Sequence, residues 1–241
     1  MVLISIIACT NREKFVSNII ANFQKQTLHE KELILVLNSA KMNFKQIKRE
    51  LDGAKLNSQL LQFPDEMSLG ECLNKGAERA DFEYIGKMDD DDYYGNSYLS
   101  EAFEALMQTK AELVGKSSFY IYFKKKQELR LYNPDHENSW IINNGQNLYK
   151  TSHFLSGATL IFKKDLLEKV TFPHVNQGED SGFQRRCFEN HVKMYSLSKD
   201  HYVYVRSGLP HHHTSDATDR MLRGRSKLVT RTASIETFLN T

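Results

Sequence analysis

The stretch Phe82-Glu83-Tyr84-Ile85-Gly86-Lys87-Met88-Asp89-Asp90-Asp91-Asp92-Tyr93-Tyr94 decides how this chain is read. A largely apolar, strand-like run ends directly in four carboxylates and two aromatic rings. Such a strand aims several negative oxygens at one region of space. Like charges a few ångströms apart oppose joint ionisation, so the arrangement calls for a cation. Hard oxygen ligands suit Mg²⁺ or Mn²⁺, ions that bridge protein carboxylates to substrate phosphates. The plainer alternative is a solvated acidic turn. An EF-hand loop does not fit, because its glycine at position six and its glutamate at position twelve are missing.

Upstream of the aspartates, strands and helices alternate. Val2 to Cys9 reads as a strand and Glu13 to Gln26 as a helix with Phe15, Ile19, Ile20 and Phe23 on one face. Glu32 to Leu37 is a second apolar strand, followed by a helical stretch from Phe44 to Leu51 and a short strand from Gln59 to Phe63. Leu69 to Arg79 is a helix that leads into the aspartate strand. This alternation, with strands apolar on both faces, predicts an α/β fold with a mostly parallel sheet flanked by helices. In such sheets ligands bind beyond the carboxyl ends of the strands. Thr10-Asn11-Arg12, Asn38-Ser39 and the aspartates all fall at such ends, so one site can collect all three.

Downstream, Ser97 to Gln108 is a helix, and Ser117–Phe123 with Glu128–Tyr132 forms a hairpin around three lysines. Asn143-Asn144-Gly145 is a turn, Thr159 to Phe162 a strand, and a helix starts at Lys164. His201 to Arg206 is a strand leading to His211-His212-His213. From residue 216, Ala217, Met221, Leu228, Thr232, Ile235 and Leu239 follow helical spacing among Arg220, Arg223, Arg225, Lys227 and Arg231. This basic amphipathic tail suits packing on its own domain or on a second subunit, a peripheral membrane contact, or closure over a phosphate ligand.

The 241 residues, 40% of them hydrophobic, suffice for one substantial core. A formal charge of +2 provides no field that would favour nucleic acid. Three widely spaced cysteines, Cys9, Cys72 and Cys187, form neither a disulfide framework nor a zinc pattern and suggest a reducing compartment. The apolar start lacks a positive leader and is too short for a membrane span, so it reads as a buried strand.

Ile4-Ser5-Ile6-Ile7-Ala8-Cys9-Thr10-Asn11-Arg12 resembles the opening strand and loop of family-2 glycosyltransferases of the GT-A fold. Leu69-Gly70-Glu71-Cys72-Leu73-Asn74-Lys75-Gly76, running on to Ala80 and the aspartates, is similar to the next family segment. Gly178-Glu179-Asp180 with Phe183 and Arg185-Arg186 is similar to a third. The ordered series covers residues 2 to 206, and its order is more specific than any one motif.

The resemblance implies a single GT-A domain over 1–215, with a nucleotide-binding half (1–95) and an acceptor half (96–215), and a helical tail over 216–241. It implies that Asp89 and Asp91 hold Mn²⁺ or Mg²⁺ on the diphosphate of a nucleotide sugar. Thr10, Asn11, Arg12, Asn38, Gly70, Asn74, Asp89 and Asp90 are then nucleotide-binding, with Asp92 a neighbour of the metal ligands. Asp180 becomes the general base of an inverting transfer, with Glu179 next in line, and His213 completes the metal site. The implied partners are a nucleotide-sugar donor, with UDP the expected nucleotide, and a glycan, polyol-phosphate or lipid-linked acceptor. A cytoplasmic place, with peripheral contact at the inner face of a membrane, and a homodimer go with that reading.

The chain departs from the family at Asn38, Leu73 and Phe82, where relatives often carry an acidic residue, an arginine and a glycine. A sugar-nucleotide nucleotidyltransferase is the first competing class, but its first loop needs glycines and Thr10-Asn11-Arg12 has none. The second is a non-catalytic nucleotide- or carbohydrate-binding module, which would need no base at Asp180.

Overall fold

The computed structural model describes residues 4–142, 154–208 and 217–235. Strand β1 (Ile4–Thr10) leads through a 3₁₀ turn at Glu13–Phe15 into helix α1 (Val16–Gln24). Strand β2 (Lys31–Leu37), helix α2 (Phe44–Gly53), strand β3 (Ser58–Gln62), helix α3 (Leu69–Glu78) and strand β4 (Tyr84–Lys87) follow. The strand period of two sorts the apolar side chains to the two faces of the sheet. Ile4, Ile6, Ala8, Leu33, Leu35 and Leu37 join one core with Val16, Ile19, Phe23, Ile47 and Leu51 of α1 and α2. Ile7, Ile34 and Val36 join the other with Cys72, Leu73 and Ala77 of α3. Strands buried on both faces therefore read as continuous apolar runs.

Beyond the aspartates come β5 (Tyr93–Tyr94), α4 (Tyr98–Thr109), β6 (Leu113–Gly115), the hairpin β7 (Phe119–Phe123) and β8 (Glu128–Tyr132), and β9 (Ser139–Ile142). Strand β10 (Ile161–Lys163), helix α5 (Glu179–Glu189), β11 (Met194–Ser196), β12 (Tyr202–Arg206), α6 (Asp219–Gly224) and β13 (Ser226–Arg231) complete the described elements. The first sheet has the order β3-β2-β1-β4-β10-β6-β11-β9, and the second β13-β8-β7-β12-β5. Among the described residues no helix is long and apolar enough to cross a membrane.

The expected mostly parallel sheet is present, with four of its seven strand pairings parallel, β6 with β11 among them. The sheet is parallel across β3, β2, β1 and β4, and its mixed part is the antiparallel insertion of β10 between β4 and β6 and of β9 beside β11. Strands as short as β5, β6 and β11 carry too few residues to display a period. Two other expectations need correction. The helix expected from Lys164 is a 3₁₀ segment ending at Glu168. The tail is helical only over Asp219–Gly224; after it, Ser226–Arg231 pairs antiparallel with β8. Leu228-Val229-Thr230 favours a strand. The buried residue of α6 is Leu222, whereas Met221 and Leu228 are exposed.

Helix α3 is positioned by its start. Ser68 Oγ accepts from Glu71 N at 3.3 Å while Glu71 Oε2 accepts from Ser68 N at 2.9 Å, a reciprocal cap of two otherwise unpaired backbone donors. Burial acts the other way, but the Ser68 bonds hold the Glu71 carboxyl below its ordinary range. Ser68→Ala removes one half of this cap and is expected to cost about 1 kcal/mol. That corresponds to a fall of about 2–4 °C in a thermal melt of a chain this size, and an unchanged melt would show that the cap contributes nothing.

Candidate functional site

Register builds the site. Strands β1 and β4 run parallel with Ile4 beside Tyr84 and Ile7 beside Lys87. Carried past the strand ends, the same register sets Thr10 beside Asp90, and Thr10 Oγ1 donates to Asp90 Oδ2 at 2.5 Å. On the other side of β1, Asn38 N donates to Thr10 O at 2.8 Å. The three strand ends therefore converge.

Arg12 reaches across two of the aspartates. Its Nε donates to Asp90 Oδ2 at 3.1 Å, its Nη2 also pairs with Asp90 Oδ1, and the same nitrogen lies 3.1 Å from Asp91 Oδ2. The guanidinium carbon stacks 4.4 Å above the Phe15 ring. Burial pushes the Asp91 carboxyl up to about 6, with Arg12 opposing the shift and Asp90 and Asp89 adding to it.

Asp92 points the other way, into the second sheet. Tyr202 Oη donates to its Oδ2 at 2.6 Å and Val205 N to its Oδ1 at 2.9 Å. Burial, then Asp91 and Asp89, push the Asp92 carboxyl well above the carboxylate range, against the pull of these two donors. Tyr202 belongs to an aromatic group with Tyr94 and Phe119, at ring centroid distances of 5.3 and 5.6 Å. The backbone of the aspartate turn is fixed from α1. Asn18 Nδ2 donates to Asp90 O and Asp92 O, and Asn22 Nδ2 to Asp92 O.

A third group joins β4 to α5. Lys87 Nζ lies 3.1 Å from Asp89 Oδ1 and 3.3 Å from Glu179 Oε1. Burial alone would lower the Lys87 ammonium, but Asp89, Glu179 and Asp180 together raise it and keep it charged. Glu179 is buried, whereas Asp180 is partly exposed. Asp180 lies against the 3₁₀ turn Gly157–Thr159, so close that a Cβ at Gly157 would collide with its carboxylate. Tyr94 ties that turn to the aspartates, accepting from Asp89 N at 2.8 Å and donating to Ala158 O at 2.8 Å.

The remaining residues singled out in the sequence are placed differently. Asn11 is exposed at the rim. Asn38 Nδ2 donates to Pro64 O and Met67 O, holding the loop between β3 and α3. Asn74 is engaged at both ends of its amide by the backbone of Phe172, at 2.9 and 3.0 Å. Gly70 sits against the Pro173 carbonyl, leaving no room for a Cβ, and its N donates to Val175 O. Gly70 and Asn74 thus fasten α3 to the segment before α5. His213 lies outside the described residues. In the tail, Arg223 and Arg231 reach the buried Glu128, at 3.1 and 3.4 Å, and Arg206 pairs with Asp219 at 2.9 Å.

Sequence reading missed Lys87, Asn18, Asn22, Tyr202 and Gly157. A lysine inside a strand buried on both faces was a usable signal, because such a charge is not buried without a partner. So was the polar pair Asn18 and Asn22, four residues apart on an apolar helix.

The family model described as glycosyl transferase family 2 matches residues 5–171, and the chain belongs to that family. It is similar to the uncharacterized glycosyltransferase EpsJ of Bacillus subtilis (strain 168), being 25% identical over 210 residues, 83% of this chain and 59% of that protein. Among solved structures it resembles TarS 1–349 of S. aureus, with TM-score 0.67, 20% identity, and coverage of 84% of this chain and 60% of that one. The same TarS fragment in complex with UDP-GlcNAc gives 0.65 at 18% identity, covering 90% and 62%. The mannosyltransferase PcManGT of Pyrobaculum calidifontis in complex with GDP-Man and Mn²⁺ gives 0.62 at 15%, covering 87% and 58%. These likenesses identify the architecture as the GT-A fold. The chain spans about three-fifths of the length of these relatives.

The packing of Asp180 on Gly157 gives a direct test. Gly157→Ala overpacks a buried turn and is expected to destabilise by about 1–3 kcal/mol. Gly53→Ala is the control, since a Cβ there meets open space. Equal melting temperatures for the two variants would show that the contact between Gly157 and Asp180 is not tight.

Proposed function

We propose that the chain transfers a glycosyl group from a nucleoside-diphosphate sugar, with UDP the expected nucleotide, to a hydroxyl acceptor, with inversion at the anomeric carbon. One observation carries this reading. At the carboxyl ends of parallel strands, the aspartate run and the acidic start of α5 are brought to the two sides of one buried lysine. A transfer of this kind needs negative groups in two roles: one set holds a cation on the leaving diphosphate, and one carboxylate takes a proton from the attacking hydroxyl.

The residues divide accordingly. Asp90 faces Thr10 and Arg12, and Asp92 faces Tyr202 and the β12 backbone. Asp89 and Asp91 are the carboxylates we assign to a divalent ion, Mn²⁺ or Mg²⁺. Among the described residues no three carboxylate, imidazole or thiol groups converge to cage a metal unaided. Ions of this kind keep several waters and use one or two carboxylates together with substrate phosphates, so the donor set fits. When bound there, the ion neutralises charge on the departing diphosphate.

Asp180 stands in the first turn of the eleven-residue helix α5 and is the general base in this reading. It accepts the acceptor's hydroxyl proton while that oxygen bonds the anomeric carbon and the bond from that carbon to the phosphate oxygen breaks. Arg12, already spanning Asp90 and Asp91, is placed to meet diphosphate oxygens as well. A cell-surface glycan or polymer is the acceptor class we favour, resting on family likeness alone. The complexes of the structural relatives with UDP-GlcNAc and with GDP-Man and Mn²⁺ support a nucleotide-sugar donor and a divalent ion here.

Two variants separate the roles. Asp180→Asn keeps the shape of the side chain but cannot accept a proton, so kcat is expected to fall ~10²-fold or more with UDP affinity little changed. Near-normal turnover would move the base elsewhere, to Glu179 first. Asp91→Ala relieves charge crowding, so the fold persists, while Mn²⁺-dependent UDP binding measured by calorimetry is lost. Equal UDP affinity for wild type in EDTA and in Mn²⁺ would refute the metal assignment.

A further inference from the structure

Lys87 is more than a filler of β4. Its side chain is only 8% exposed, and the Glu179 side chain it meets is 7% exposed. An aliphatic residue would serve the sheet at this position better, because a buried ion pair often costs more in desolvation than its attraction returns. Near it in the chain, Ile85 of β4 and Met88 just after the strand are ordinary core residues. The packing of the sheet therefore does not account for the lysine, and its two partners do. One, Asp89, is the first residue of the aspartate run, and the other, Glu179, is the first residue of α5. Asp180 follows Glu179 directly and packs on the turn that Tyr94 links back to Asp89.

The ammonium thus closes a ring. Asp89, Lys87, Glu179 and Asp180 lead to the Gly157–Thr159 turn, and Tyr94 returns to the backbone of Asp89. We infer that Lys87 is a positioning residue that fixes the separation between the diphosphate-binding end of β4 and the proton-accepting start of α5. The inference rests on the function proposed above. The lysine touches neither donor nor acceptor in this scheme; it acts through Asp89 and Glu179. Reactions between oriented groups lose on the order of 10²-fold for a misplacement of about 1 Å, so a lost tether should appear in turnover rather than in binding.

The test compares Lys87→Arg, Lys87→Met, and the double variant Lys87→Met with Glu179→Gln. The double variant is needed because Lys87→Met leaves Glu179 as a lone buried charge that can itself unfold the chain. For each, kcat, donor KM, the calorimetric Kd for UDP with Mn²⁺, and the thermal melt are measured beside Asp180→Asn. The expected result for the folded Met variants is a ~10²-fold fall in kcat, with Kd and KM within about threefold of wild type. Lys87→Arg, which keeps the charge and can bridge both carboxylates, is expected to recover at least about a tenth of wild-type kcat.

The inference is overturned if the folded double variant turns over like wild type while Asp180→Asn does not. It is overturned too if UDP affinity falls in step with kcat, which would make Lys87 a donor-binding group. Failure of both Met variants to melt cooperatively would reduce the lysine to a folding role and equally overturn it. If Asp180→Asn itself keeps full turnover, the proposed base is wrong, and the separation that Lys87 is said to fix has no catalytic meaning.

Discussion

Mutual repulsion among Asp89, Asp90, Asp91 and Asp92 is the constraint to which the rest of the structure answers. Four adjacent carboxylates crowd like charge into one turn, and here each has a compensating neighbour. Asp90 takes Thr10 and Arg12, Asp91 shares Arg12, Asp92 takes Tyr202 and the amide of Val205, and Asp89 takes Lys87. These partners come from the β1 loop, from β12 in the second sheet, and from β4 itself. The turn is thus a junction at which both sheets and, through Glu179, helix α5 are joined.

This division of partners also separates the roles open to the four residues. A carboxylate buried against a tyrosine hydroxyl and a backbone amide, as Asp92 is, braces the fold. One gripped by arginine and threonine, as Asp90 is, is itself held in a fixed orientation. Asp89 and Asp91 sit on either side of that gripped residue, one beside a lysine and the other beside an arginine. Cationic side chains at those places resemble in charge what a divalent ion would contribute, so the site keeps a positive complement before any ligand arrives.

Much of this was legible in the chain. The apolar runs of β1, β2 and β4 with intervening helices gave the parallel half of the sheet, because burial on both faces leaves no polar alternation to obscure a strand. The convergence of Thr10, Arg12 and the aspartates followed from the rule that strand ends form the site. The short strands β5, β6, β9 and β11 were not legible, since their existence depends on tertiary pairing rather than local pattern. The tail misled because Met221, Leu228 and Ile235 fit a helical period, while β8 offered an edge to which Ser226–Arg231 could add. Asn74 and Gly70 were legible as special positions, but not what made them so: their contacts are with Phe172, Pro173 and Val175, about a hundred residues away in sequence.

In the function proposed here, the aspartate run receives a nucleotide sugar together with a divalent ion. Thermal melting of the chain with a panel of nucleotide sugars, each in Mn²⁺ and in EDTA, tests it most directly. A ligand at 100 times its Kd stabilises the folded state by about 2.7 kcal/mol, which for a chain of this size raises the melting temperature by about 5–10 °C. The account predicts that rise for at least one nucleotide sugar in Mn²⁺ and none for the same compound in EDTA. A rise of equal size in EDTA, or no rise with any nucleotide sugar in Mn²⁺, would contradict it.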